Sequence, residues 1–182
     1  MPKLRKKKII NQMKAEFLAV SENERLSRAV VSALTAQLDV TVEELADVRC
    51  AVSEAVTNAI VHAYRESVPR RGARATVYIL ITLYDDRSIK IVVRDKGCGI
   101  ADLHRAMEPQ FTSDDTGERS GMGFSIMQSF MDCVRVRSAP GKGTTVELRK
   151  AFSKQSAAGA CASEPPLQKE DADLLCEAEE IA

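Results

Sequence analysis

The chain has no excess of charge of either sign, with 26 lysines and arginines facing 26 aspartates and glutamates over 182 residues. A near-neutral middle gives no footprint for direct contact with nucleic acid. Cysteine shows no pattern either. The five cysteines, at 50, 98, 133, 161 and 176, are odd in number and nowhere spaced C-x-x-C, which argues against a disulfide framework and a zinc site. No apolar stretch approaches the roughly 20 residues a membrane span needs, and no apolar run follows the basic start. The expected setting is the cytoplasm, with reduced thiols and no membrane contact. Neither G-x-x-x-x-G-K-S/T nor G-x-G-x-x-G occurs, which argues against P-loop and Rossmann sites. No internal repeat is present.

Neutrality conceals a polarity along the chain. Residues 1–14 carry Lys3, Arg5, Lys6, Lys7, Lys8 and Lys14 with no acid, whereas residues 153–182 carry seven acids against Lys154 and Lys169. The length suits one domain with appended ends. From Ser153 onward the composition shifts to Ala, Ser, Glu, Gln and Pro without an aromatic residue. Such a segment buries too little apolar surface to offset its ordering entropy, so disorder is expected, with Leu174, Leu175 and Ile181 leaving room for a short helix formed on a partner. The expected division is a basic extension over 1–12, one domain over 13–152 and an acidic tail over 153–182.

Within the domain, Met13, Ala15, Phe17 and Ala19 alternate with outward positions and predict a short strand. Ser21 with Glu24 has the spacing of a capping box, opening a helix with Leu26, Val30, Leu34 and Leu38 on one stripe. Thr41 with Glu44 has the same spacing and opens a longer helix, with Leu45, Val48, Val52, Val56, Ala59, Ile60 and Ala63 on its apolar face. A loop is expected over 65–73. Thr76–Leu83 and Ser88–Arg94, joined by Asp85-Asp86-Arg87, predict a hairpin. Residues 108–120 predict a mobile surface segment. Helical spacing follows from Gly123 to Asp132, and Cys133–Arg137 and Thr144–Leu148 flank a turn to give a last hairpin.

Three pieces carry chemistry. Glu54 and Asn58 stand one helical turn apart and point the same way among apolar neighbours. A carboxamide oxygen suits Mg²⁺, and a carboxylate one turn away could take or orient a proton. Taken alone, the pair also reads as a solvent-facing Glu beside an Asn bonded to the backbone. Asp95 ends a strand, and its carboxylate suits an exocyclic amine such as that of adenine, while Gly97 and Gly99 let a ligand approach the backbone. An ordinary Asp-x-Gly turn has the same appearance. Gly121-Met122-Gly123 precedes a helix whose N-terminus could face a phosphate, with Arg119 two residues upstream, or it is a simple hinge. His62 and His104 show no zinc spacing, and Cys98 is assigned no catalytic role.

In order, Glu54-x-x-x-Asn58, Asp95-x-Gly97-x-Gly99, Gly121-x-Gly123 and Gly143-Thr144-Thr145 resemble the ATP-binding module shared by gyrase, Hsp90, histidine kinases and MutL, the GHKL or Bergerat fold. Val52-Ser-Glu-Ala-Val-Thr-Asn-Ala-Ile60 and Glu118-Arg-Ser-Gly-Met-Gly-Phe124 bring it nearest to one branch, the sporulation-type bacterial anti-sigma factors that are also serine kinases. The resemblance covers roughly residues 13–150. It implies an α/β two-layer sandwich, with helices on one face of a mixed, mostly antiparallel sheet. It implies ATP and Mg²⁺ as cofactors, Asn58 as the Mg²⁺ ligand, Glu54 as catalytic base, and Asp95 as the adenine contact with Thr144 nearby through water. Gly97, Gly99, Gly121 and Gly123 would shape the pocket, Thr112, Ser120, Met122 and Phe124 would join it, and 108–120 would be a lid with Arg119 near the γ-phosphate.

The implied function is to hold a sigma factor inactive and to transfer the ATP γ-phosphate to a serine of an anti-anti-sigma protein, as a homodimer. Arg28 on the first long helix is the candidate partner contact. Two other readings stay open here: a non-catalytic, ATP-dependent sigma-binding module, against which Glu54 stands, and the general-stress sigma B branch. A histidine-kinase domain ranks last, because 182 residues leave no room for a phosphorylatable dimerisation helix. Ala63 stands where a glycine is common in the family.

Overall fold

Period-two patterning writes the frame of this domain. The structure, a computed structural model, describes residues 7–64, 75–108 and 122–153. The strands are β1 (Ile9–Leu18), β2 (Thr76–Tyr84), β3 (Ser88–Asp95), β4 (Cys133–Ser138) and β5 (Thr144–Ala151), and the helices are α1 (Glu22–Thr35), α2 (Val42–Val61), α3 (Leu103–Ala106) and α4 (Gly123–Phe130). The strands lie in the order β1-β2-β3-β5-β4, and all four pairings are antiparallel. The mixed sheet that was expected is therefore antiparallel throughout the described residues. Val77, Ile79, Ile81 and Leu83 of β2, Ile89, Ile91 and Val93 of β3, and Val146 and Leu148 of β5 are buried on one face. Helices α1, α2 and α4 pack over that face to close the core. Among the described residues, these helices leave the other face uncovered.

β1 begins at Ile9 and not at Met13, so residues 9–12 of the expected basic extension belong to the sheet. Ile9 and Ile10 are both about half exposed and Asn11 and Gln12 are polar, so no alternation marks them. Pairing with β2, across a register shift between Ile9 and Asn11, recruits them instead. The loop expected over 65–73, nearly all of 108–120, and the chain from 154 onward lie outside the described residues. No described helix is long and apolar enough to cross a membrane.

The two expected capping boxes part company. At α2, the Glu44 amide donates to Thr41 Oγ1 at 3.1 Å and the Thr41 amide donates to Glu44 Oε2 at 3.0 Å. Glu44 Oε1 also accepts from the amide and hydroxyl of Ser153. Burial raises the pKa of this carboxyl, but these donors outweigh it and hold it below the ordinary range. At α1, Ser21 is helical and its side chain makes no capping bond. Glu24 is drawn away to the Ser53 hydroxyl and the Arg28 guanidinium.

The expected stripe of α1 holds at Val30 and Leu34, and at Leu38 just beyond the helix, but not at its first residue. Leu26 is 48% exposed, and Ser27, Val31, Leu34 and Thr35 face the core. Ser27 and Thr35 donate to the carbonyls of Glu24 and Val31, each at 2.7 Å, so their burial leaves no hydroxyl proton unpaired. Helix α2 keeps its expected face, burying Val48, Ala51, Val52, Ala55, Val56 and Ala59. Lys150, on the core side of β5, donates to Asp47 of α2 at 3.1 Å and to the Phe130 carbonyl ending α4 at 2.7 Å.

The contrast between the two helix starts gives a direct test. Thr41→Ala should cost about 1–2 kcal/mol in urea unfolding, and Ser21→Ala under about 0.5 kcal/mol. Equal losses would contradict the cap assignment.

Candidate functional site

α2 lays Glu54 and Asn58 on one side because they are four residues apart, and buried Ala55, Val56 and Ala59 lock that side's orientation. Both side chains are partly exposed. Gly123, the first residue of α4, seats directly against them: a Cβ built there would lie 2.9 Å from Glu54 Oε2 and 3.3 Å from Asn58 Nδ2. The sequence separates these residues by 65 positions or more, and the packing of α4 on α2 brings them together. Met122 precedes them as an exposed helix-start residue, while the ring of Phe124 packs against the core.

The second half of the site is built around Asp95. Its side chain enters from the end of β3 and is 4% exposed. Oδ1 accepts from the Gly97 amide at 2.9 Å and from the Thr144 amide at 3.1 Å, while neither of these donors reaches Oδ2. Burial pushes the Asp95 pKa above the ordinary carboxylate value, against the opposing pull of those two amides and of Arg94. A carboxylate held in place, with one oxygen still able to accept, suits an amine donor of a planar base.

Two glycine loops fit around this carboxylate without room for side chains. A Cβ on Gly97 would lie 1.9 Å from the Ala63 carbonyl oxygen, and one on Gly143, whose φ is +74°, would lie 2.3 Å from the Asp95 carbonyl oxygen. Cys98 donates its amide to the Ala63 carbonyl at 2.7 Å and accepts from the Gly141 amide at 2.6 Å. Gly99, with φ +72°, faces Ala139. Ala63 thus contacts the Asp95 loop through its backbone as well as its methyl group.

Ser138 and Tyr64 have structural roles that the sequence did not announce. The Ser138 hydroxyl accepts from the Ile100 amide at 2.8 Å and lies 3.0 Å from the Gly143 carbonyl and 2.9 Å from Thr144 Oγ1. Its only sequence signal is its place just before the Ala139-Pro140-Gly141 turn. Tyr64 Oη donates to the Thr76 carbonyl and accepts from the Lys96 amide. Arg28 pairs with Glu24 at 3.0 Å, and that Glu24 carboxylate also holds the hydroxyl of Ser53, the residue before Glu54. Thr112, Arg119, Ser120 and Gly121 lie outside the described residues.

As ligands for a hard cation, Glu54 and Asn58 can offer only their side-chain oxygens. Among the described residues no group of three or more His, Cys, Asp or Glu could hold a metal by itself. The Asn58 carboxamide oxygen is the kind of single protein ligand that Mg²⁺ complements with water and substrate phosphates, and the Glu54 carboxylate one turn away is placed to take or orient a proton. Ala63, which contacts the Asp95 loop, follows Asn58 by five residues, about one and a half turns of helix, so the Asp95 carboxylate and the Glu54–Asn58 pair stand at opposite ends of one short surface.

Residues 17–150 match the family model of the histidine kinase-like ATPase domain. A Pasteuria penetrans protein named anti-sigma F factor is 50% identical over 140 residues, covering 77% of this chain and 90% of that protein. A Bacillus subtilis (strain 168) protein of the same name is 47% identical over 147 residues, covering 81% and 97%. The structure of the RsbU and RsbW domains of a Mycobacterium tuberculosis protein aligns over 80% of this chain with a TM-score of 0.58 at 19% identity. This chain spans 34% of that one, and the likeness is one of fold.

The glycine geometry separates two kinds of substitution. Gly97→Ala and Gly143→Ala press on backbone and should cost more than about 3 kcal/mol, whereas Gly123→Ala meets only side-chain tips and should cost under about 1 kcal/mol. Thermal unfolding of the three variants checks this ordering.

Asp95 gives a pH test. Because its folded pKa is raised above 3.8, the native chain holds the proton more tightly than the unfolded chain. Stability contributed by the protonated form is therefore lost as pH rises through the folded value. Asp95→Asn retains the Oδ1 acceptor and should gain on the parent protein across that window, converging with it at acid pH. A gap in urea midpoints that shrinks toward neutrality would refute the raised pKa.

Proposed function

Since the chain belongs to the histidine kinase-like ATPase family, among proteins named anti-sigma F factor, we propose that it binds and inhibits a sporulation-type sigma factor and is an ATP-dependent serine kinase acting on an anti-anti-sigma protein. The observation that carries this reading is the meeting of Gly123 with Glu54 and Asn58, which joins a proton acceptor, a cation ligand and a helix start at one point. In this reading ATP lies along α2, with its adenine amine on Asp95 Oδ2 and its phosphates toward the start of α4, where unpaired amides favour an anion.

Each residue then has a defined task. Asp95 selects adenine as an acceptor, and the Gly97 and Thr144 amides keep its carboxylate aimed. Asn58 would hold Mg²⁺ through Oδ1, and the ion would supply charge neutralisation for the phosphates. Glu54 accepts the proton of the incoming serine hydroxyl and orients that oxygen in line with the γ-phosphorus. Thr112, Arg119, Ser120, Gly121 and Met122 complete the phosphate end, with Arg119 offsetting charge on the transferred group. Phe124 anchors the start of α4 in the core. Arg28 is the partner contact, already oriented by Glu24, and the working unit is a homodimer. The domain spans 13–152 together with the β1 residues from Ile9.

A non-catalytic sigma-binding module is the second reading, and Glu54 distinguishes them, because a pure binder has no use for a carboxylate at that position. Glu54→Ala should leave Mg-ATP affinity unchanged in calorimetry and slow phosphorylation of the acceptor protein by about 10²–10⁴-fold. Transfer at the parental rate would remove Glu54 from the chemistry, and a parent protein that binds ATP without any transfer would establish the binding module.

A further inference from the structure

The sheet face turned away from the helices carries a charge that the nucleotide site does not use. Alternation and register place Gln12, Thr82, Lys90 and Arg149 in one cross-strand row, Lys14, Leu80, Val92, Glu147 and Arg135 in the next, and Glu16, Tyr78, Arg94, Thr145 and Arg137 in the third. Lys96 follows beyond Arg94, and these two line a cavity of about 290 Å³ with Thr76 and Tyr78. Seven cations, Lys14, Lys90, Arg94, Lys96, Arg135, Arg137 and Arg149, therefore share the face with two carboxylates, Glu16 and Glu147. Glu147 is already occupied by Arg149, at 2.5 Å.

A face so charged, with Tyr78 41% exposed among its cations, calls for an acidic occupant with some apolar side chains. Two copies of the face laid together would set like charges against each other. The chain itself supplies the opposite pattern. Residues 170–181 carry Glu170, Asp171, Asp173, Glu177, Glu179 and Glu180 with Leu174, Leu175 and Ile181 and no basic residue. We infer that this acidic extension, residues 154–182, docks across the open face of the sheet in its own chain.

Connectivity favours it. β5 belongs to the basic rows and leads directly into the extension at Ser153. Sixteen residues, 154–169, separate Ser153 from Glu170, and a linker of that length has a root-mean-square reach on the order of 20–25 Å, comparable with the length of β5. Tethering gives the segment a local concentration on the order of mM, enough for weak, screened contacts to be occupied. The extension also lies outside what the relatives share. The Bacillus subtilis protein is covered to 97% by 147 residues, and the family match ends at residue 150. This inference stands apart from the proposed kinase reaction and does not depend on it.

The experiment is zero-length carbodiimide cross-linking of the full chain, using a mixture of ¹⁵N-labelled and unlabelled protein, with peptides identified by mass spectrometry. The expected result is linkage of acids between 170 and 180 to Lys14, Lys90 or Lys96 within one chain, lost at high salt and lost in the Arg94→Glu, Arg135→Glu, Arg137→Glu variant. A second variant leaves the folded domain untouched: Glu170→Gln, Asp171→Asn, Asp173→Asn, Glu177→Gln, Glu179→Gln and Glu180→Gln together. Amine labelling of Lys14, Lys90 and Lys96 should be faster in it than in the parent at low salt. Links confined to Lys3, Lys6, Lys7 and Lys8, links only between isotopically different chains, or unchanged lysine labelling would each overturn the inference.

Discussion

The Asp95 carboxylate is the constraint on which the site depends. One oxygen takes amides from two loops distant in sequence, Gly97 just after β3 and Thr144 at the start of β5. This fixes the β3 exit against the β4–β5 turn, and the Cys98 backbone then ties that junction to Ala63, just beyond the end of α2. Sheet, turn and long helix are registered through a few atoms. The arrangement is costly to the charged carboxylate, because burial disfavours it. A polar group kept in such a place constrains its surroundings, and here the constraint is the relative position of both halves of the candidate site.

The helix side of the fold works differently. α2 is positioned by apolar burial and by a cap at its N-terminus, with Glu44 extending the cap to Ser153 beyond β5. Glu54 and Asn58 sit on the polar margin of the same helix, so their positions inherit the rigidity of the core without being inside it. That separation suits the role proposed for them: side chains fixed enough to be aimed and exposed enough to meet a substrate.

Where local rules operate alone, the sequence was legible. Thr41 and Glu44, the alternation of β2 and β3, and the four-residue spacing of Glu54 and Asn58 are all local, and the structure places them as read. Ser21 and Glu24 have the same spacing as Thr41 and Glu44, yet Glu24 serves Ser53 and Arg28, a competition set by how α1 lies on α2. The core face of α1 contains Ser27 and Thr35, which a hydrophobic stripe cannot reveal because their hydroxyls are satisfied by their own helix. Residues 9–12 became strand through β2, and Ser138 became a junction through contacts with Ile100, Gly143 and Thr144. The four-residue α3, capped by Asp102 on the Arg105 amide, is too short to leave a periodicity.

Lys150 sets how one part of the site can move. Its ammonium joins the carbonyl end of α4 to Asp47 on α2, while Gly123 at the opposite end of α4 faces Glu54 and Asn58. An eight-residue helix fastened at one end is a short lever of about 12 Å. A displacement of its Gly123 tip would take the form of a tilt about Phe130, and sliding along α2 would first have to break the partly buried Lys150–Asp47 ion pair.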